Sequence, residues 1–184
     1  MTDDSPRRTL VLGLGNPIRG DDGVGWRVVE AVQVDLDPHP LLSLWERENI
    51  GPLPAIFQMG RDRVEVDMLA GGGLNLMERL VGYDRAILVD AMQSGKEPGR
   101  VQVFPLEALD NPSSGHLGST HETNLLTALE IGRRLGAHLP LIGEVLVVAI
   151  EAQQVFEFSE ELSPPVAQAV TEAAQEVMNL LKNG

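Results

Sequence analysis

Residues 9–14 (Thr9, Leu10, Val11, Leu12, Gly13 and Leu14) form a short, unbroken apolar run, followed within ten residues by a stripe at helical spacing. A strand with no polar face must be buried on both sides, so it belongs in the interior of a sheet covered by helices. Val24, Val28 and Val32, with Val29 and Ala31 beside them, supply the first such helix, which ends near Asp35. Between run and stripe lies a turn rich in glycine: Gly13, Gly15, Gly20, Gly23 and Gly25, with Asp21 and Asp22 inside it. Strand, glycine-rich turn and helix in that order restrict the chain to an α/β architecture.

The remaining segments repeat the pattern. Residues 63–69 alternate at period two and read as an outer strand, and Gly71, Gly72 and Gly73 open a short helix over 74–81. Residues 85–90 form a second buried strand that closes on Asp90, and residues 100–104 form an alternating one. The stretch 110–120, rich in Ser, Gly, Asn and Pro, reads as loop. A helix follows over 122–135, then a last central strand over 145–150. Ser163 is placed to cap a terminal helix whose first turn carries Pro164 and Pro165. The expected fold is three-layer α/β: a twisted, mainly parallel sheet of about five strands with helices on both faces. With 184 residues the chain is expected to make one domain over 9–184, preceded by a disordered tail over 1–8. Residues 36–62 carry Pro38, Pro40, Pro52 and Pro54 around apolar residues such as Trp45 and Phe57, and read as an ordered, Pro-rich excursion.

Composition narrows the chemistry. Fourteen Lys and Arg stand against 27 Asp and Glu, a net charge of −13 that repels phosphate backbones and argues against nucleic acid. Cysteine is absent, which excludes thiol nucleophiles, disulfides and thiolate metal sites. No stretch of about 20 apolar residues could cross a membrane, and no signal peptide is evident, so a cytoplasmic location is expected.

In an open α/β sheet, ligands bind beyond the C-terminal ends of the strands. Three candidates fall there: Asp21 or Asp22 in the first junction, Asp90 at the end of its strand, and His121 after a polar loop, with His116 as its rival. Two carboxylates and an imidazole make an oxygen and nitrogen site for a borderline divalent ion, with positions left open for substrate. Each also has a plainer role. Either aspartate of the pair can cap the following helix, Asp90 can bond the next turn, and a lone histidine can cap or pack.

The junction from Gly15, Asn16 and Pro17 through Ile18, Arg19, Gly20, Asp21, Asp22, Gly23, Val24 and Gly25 resembles that of the hydrogenase maturation endopeptidases. So do Ile87, Leu88, Val89, Asp90 and Ala91 followed by Pro98 and Gly99, and so do Ser119, Thr120 and His121. The resemblance runs from about residue 9 to residue 182. It implies a hydrolase of aspartyl-protease type that removes the C-terminal extension of a nickel-loaded [NiFe]-hydrogenase large-subunit precursor. The nickel is carried by that substrate, and other divalent ions such as zinc are expected to suit the same residues. The family's acidic ligand falls on Asp22, its aspartate on Asp90 and its histidine on His121; either aspartate could act in catalysis. The chain departs from the pattern in its longer excursion at 36–62 and in the segment Asp67 to Gly73. The excursion is expected to help select the cognate large subunit.

Two alternatives come from other classes. A non-catalytic nickel-binding or assembly protein would use the same trio without cutting. A peptidyl-tRNA hydrolase shares an opening like Gly13, Leu14, Gly15, Asn16 and Pro17, but Asp21 and Asp22 stand where its histidine-containing segment belongs, and the charge suits tRNA poorly. A dinucleotide fingerprint fails because Ile18 stands where its third glycine belongs.

Overall fold

The computed structural model describes residues 6–36, 54–110, 120–155 and 158–183, with the side chains at 109–110 and 120–124 outside the description. Six strands form one sheet: β1 (Arg8–Leu14), β2 (Ala55–Met59), β3 (Asp62–Leu69), β4 (Arg85–Met92), β5 (Val101–Pro105) and β6 (Val145–Glu151). Their order is β2-β3-β1-β4-β6-β5. The four inner strands run parallel, and β2 and β5 close the two edges antiparallel.

Among the described residues, four helices cover the sheet: α1 (Val24–Leu36), α2 (Leu74–Arg79), α3 (Thr120–Arg134) and α4 (Pro164–Asn183). Side chains alternate across β1. Val11 joins a core with Val28 and Val29 of α1 and Val166 and Val177 of α4. Leu10, Leu12 and Leu14 join a second core with Leu76 of α2 and Leu125 and Leu129 of α3. The unbroken apolar run therefore serves two cores, each Leu or Val taken from water contributing about 1.5–3 kcal/mol.

The order of strands places a switch point between β1 and β4. From β1 the chain moves to β3 on one side, then returns to place β4 on the other.

Several expectations are corrected. The sheet has six strands rather than about five, and the extra one, β2, lies inside the 36–62 excursion. Residues 63–69 are consequently one strand in from the edge rather than outermost. Arg8 begins β1, and its backbone N–H donates to Asp84 Oδ2 at 2.8 Å, so the expected tail over 1–8 overlaps the sheet. The excursion's residues 37–53 lie outside the described residues. Ser163 does not cap α4 with its side chain. Its carbonyl accepts the first helical bond from Ala167 N, while its hydroxyl donates to Asp21. Among the described residues no helix is long and apolar enough to cross a membrane.

Candidate functional site at the carboxyl edge of the sheet

The glycine-rich turn after β1 is compressed to backbone contact. A Cβ on Gly25 would lie 2.4 Å from the carbonyl oxygens of both Leu14 and Val89, closer than any real side chain comes. Gly15, at φ 111°, faces Asp22 so closely that a Cβ would overlap the Asp22 carbonyl. The first turn of α1 is thereby pressed into the gap between β1 and β4. That seats Asp22 beside the end of β1 and within a turn of helix of Val89, the residue before Asp90.

The adjacent aspartates do different things. Asp21 is fully buried. Its Oδ2 accepts from the backbone N–H groups of Gln153 and Gln154 at 2.8 and 2.9 Å and from the Ser163 hydroxyl at 2.9 Å. Its Oδ1 accepts from the Ser163 backbone N–H at 2.7 Å. Four donors and the positive end of α4 satisfy a buried charge that would otherwise be very costly. Asp22 is half-buried, and its Oδ2 accepts from Asn16 N–H at 2.9 Å. Its Oδ1 makes no hydrogen bond among the described residues.

Asp90 is 2% exposed and does not end its strand, which continues to Met92. The ladder to β1 stops at Val89, however, so Asp90 is the first residue of β4 beyond its neighbour, while β6 still pairs with it at Ala149. Its Oδ1 accepts from Ala91 N–H at 2.8 Å. Alternation assigns Asp90 to the face shared by Leu88, Met92 and Ala149, which is the face covered by α2 and α3.

His121 lies in the first turn of α3, and its side chain is outside the described residues. Its rival His116 lies outside them entirely. Helix α3 leads into the start of β6, so its C-terminal end lies at the amino edge of the sheet. Its fifteen residues span about 22 Å, close to the ~23 Å of the seven residues of β6. Its first turn is thus carried back to the carboxyl edge. Among the described residues no three His, Asp or Glu side chains group closely enough to hold an ion.

Glu151 was not singled out from the sequence. Buried at 2% exposure, it accepts through Oε1 from the backbone N–H groups of Ser94, Gly95 and Lys96 at 2.8, 2.8 and 3.2 Å. Its Oε2 accepts from the Ser94 hydroxyl at 2.6 Å. It pins the loop that follows Asp90 much as Asp21 pins the loop that follows β6. The signal that marks Asp90, an apolar strand closing on a carboxylate, marks Glu151 equally; their partners separate them. Gly99 belongs to the same framework, since a Cβ there would lie 2.5 Å from the Pro165 carbonyl oxygen.

The hydrogenase maturation protease family model, HycI, matches residues 56–180, a span that begins beyond Asp22 and includes Asp90 and His121. Among curated relatives, the hydrogenase expression/formation protein HupD of Bradyrhizobium diazoefficiens is 31% identical over 147 residues, covering 77% of this chain and 64% of the relative. HupD of Thiocapsa roseopersicina is 26% identical over 177 residues, covering 94% of this chain and 66% of its own length. The chain therefore spans about two-thirds of the length of these relatives. Among solved structures, the hydrogenase maturating endopeptidase HybD from E. coli superposes with a TM-score of 0.64 at 23% identity, covering 96% of this chain and 93% of that one. The hydrogenase 2 maturation peptidase of a Thaumarchaeota archaeon gives 0.56 at 25% identity, covering 96% and 99%.

Proposed function

The chain belongs to the hydrogenase maturation protease family, and from that membership we propose that it is an endopeptidase that removes the C-terminal extension of a [NiFe]-hydrogenase large-subunit precursor after nickel has been inserted. Nickel is part of the substrate and acts as the recognition signal. Asp22, Asp90 and His121 reach it and set the scissile peptide beside it. Two carboxylates and an imidazole suit a borderline ion such as nickel and leave coordination positions for the substrate's own ligands.

The observation that carries the proposal is the seating of two non-equivalent carboxylates at the switch point between β1 and β4. Asp22 is oriented by a single backbone N–H, with its second oxygen uncommitted. Asp90 stands on β4 just past the end of the β1 ladder, buried and bonded to Ala91 N–H. Asp21, the neighbouring acid, is fully engaged in holding loops and so does not compete for the ion. A carboxylate at this edge, or a water polarised by the substrate's nickel, then assists attack on the peptide carbonyl.

The test is cleavage of a nickel-loaded precursor by Asp90→Ala and Asp22→Ala, followed as the mobility shift of the large subunit. Both variants are expected to lose processing, with circular dichroism and thermal melts confirming that each is folded. Full processing by either folded variant would overturn its assignment. Retained nickel binding without any cleavage by the wild-type chain would favour an assembly protein instead.

A further inference from the structure

Beside this edge the surface carries two large apolar side chains in an unusual setting. Phe158 is 89% exposed and Ile18 is 47% exposed. Their backbones are held side by side rather than left loose. Ser159 N donates to the Ile18 carbonyl at 3.1 Å, Gly20 N donates to the Ser159 carbonyl at 2.7 Å, and Arg19 and Ser159 form a parallel bridge. Ser159 is itself fixed, its hydroxyl accepting from Glu161 N–H at 3.0 Å and donating to the Glu161 carbonyl at 3.1 Å. Two residues beyond Arg19, Asp21 ties the first loop to Gln153, Gln154 and Ser163. A phenyl ring on such an anchored segment is presented to solvent by the fold, and an exposed apolar pair of this kind marks a contact surface.

Resting on the proposed function, we infer that Ile18 and Phe158 form an apolar clamp for the precursor segment that flanks the scissile bond, receiving an apolar side chain of that peptide. Ile18 and Asp22 belong to one short turn, four residues apart, and the bridge to Ser159 brings the Phe158 segment alongside that turn, so the apolar pair adjoins the carboxylate proposed to hold the substrate. The occupant is therefore peptide, and specifically the stretch next to the cut, rather than a distant face of the precursor. The two residues are positioning residues: they touch no reacting atom and act by holding the peptide in register for Asp22 and Asp90. Their contribution appears in binding, because the apolar contact exists equally before and during bond cleavage.

The experiment measures kcat and KM for cleavage of the nickel-loaded precursor by the wild-type chain, Phe158→Ser, Ile18→Ser and the conservative Phe158→Leu. Both serine variants are expected to raise KM by about tenfold or more, the scale for loss of a buried apolar side chain, with kcat within about twofold. Phe158→Leu should recover most of the loss. Because both side chains are exposed, thermal melts of all three variants should match the wild type. An unchanged KM in the serine variants would overturn the inference, as would a fall confined to kcat or a failure of leucine to rescue. The wild-type reaction keeps the two proposals apart: absence of any cleavage by the wild type removes the proteolytic reading, whereas cleavage that is indifferent to Ile18 and Phe158 removes only the clamp.

Discussion

Asp21 holds Ser163 through both of its carboxylate oxygens, Oδ1 on the backbone N–H at 2.7 Å and Oδ2 on the hydroxyl at 2.9 Å. The two residues are 142 positions apart, and the contact ties the first loop of the fold to the start of its last helix. Next to it, Asp22 makes one backbone hydrogen bond and is only half-buried. Two neighbouring carboxylates are thus engaged differently: Asp21 accepts four hydrogen bonds from distant residues, and Asp22 one from the turn it belongs to.

That difference predicts opposite phenotypes for one substitution at adjacent positions. Asp21→Ala leaves three backbone N–H groups and a hydroxyl without their acceptor in a buried setting, and should cost about 3 kcal/mol or more. For a chain of 184 residues this lowers Tm by roughly 6–12 °C. Asp22→Ala should shift Tm by no more than a few degrees while removing precursor cleavage. Thermal melts paired with a cleavage assay decide it. Equal destabilisation by the two variants would contradict that difference.

Glu151 makes the parallel prediction for the loop after Asp90. In Glu151→Gln the carboxylate becomes a neutral amide, and only one of its two ends can still accept from the Ser94, Gly95 and Lys96 N–H groups and the Ser94 hydroxyl. Stability should fall by about 1–3 kcal/mol. Hydrogen exchange at the Ser94–Lys96 amides should accelerate more than exchange in the centre of β4. Uniform protection across both would show that the loop holds itself.

The sequence exposes those parts of this fold whose residues obey one strong demand. β1, β4 and β6 are buried on both faces, so their apolar runs stand out, and α1 and α4 each turn one apolar stripe to the core. β2 is not legible because Ala55–Met59 is an edge strand with no fully buried residue, preceded by Pro52 and Pro54. Its place is set by pairing with β3 rather than by its own pattern. The candidates Asp22 and Asp90 could be named from the sequence because they fall at strand ends, where topology places ligands in such sheets. The separation of Asp21 from Asp22, and of Glu151 from Asp90, was not legible. Each depends on donors 55 or more residues away in sequence, such as Lys96 for Glu151 and Gln153 for Asp21.

Gly25 should tolerate no side chain. Gly25→Ala places a methyl group 2.4 Å from two backbone carbonyl oxygens on different strands, neither of which can swing aside as a flexible side chain would. The first turn of α1 must lift away from β1 and β4, at about 1–3 kcal/mol. Because that turn also seats Asp22, cleavage should fall further than the stability loss explains at a temperature where the variant remains folded. Full activity in a folded Gly25→Ala protein would show that the approach of α1 to Val89 is not needed for the site.

Acid should weaken the attachment of α2 to β3 through Glu65. Arg79 on α2 donates to Glu65 Oε1 and Asp67 Oδ2, each at 2.6 Å, and to the Tyr83 hydroxyl at 3.0 Å. Burial by itself would raise the Glu65 pKa, but hydrogen bonding to Tyr83 and Arg79 and the Arg79 charge outweigh it and hold the carboxyl below its ordinary 4.5. A folded pKa below the unfolded one means that the unfolded chain takes up protons first as pH falls. The stabilisation is therefore complete above about pH 4.5 and is lost as pH drops through the folded value. Glu65→Gln should accordingly be less stable than the wild type by about 1–2 kcal/mol at pH 7, the scale of a charge-assisted hydrogen bond. The difference should shrink steadily in urea melts taken from pH 5 down to pH 3. A gap that stays constant across that range would mean that the glutamate contributes by packing and not by its charge.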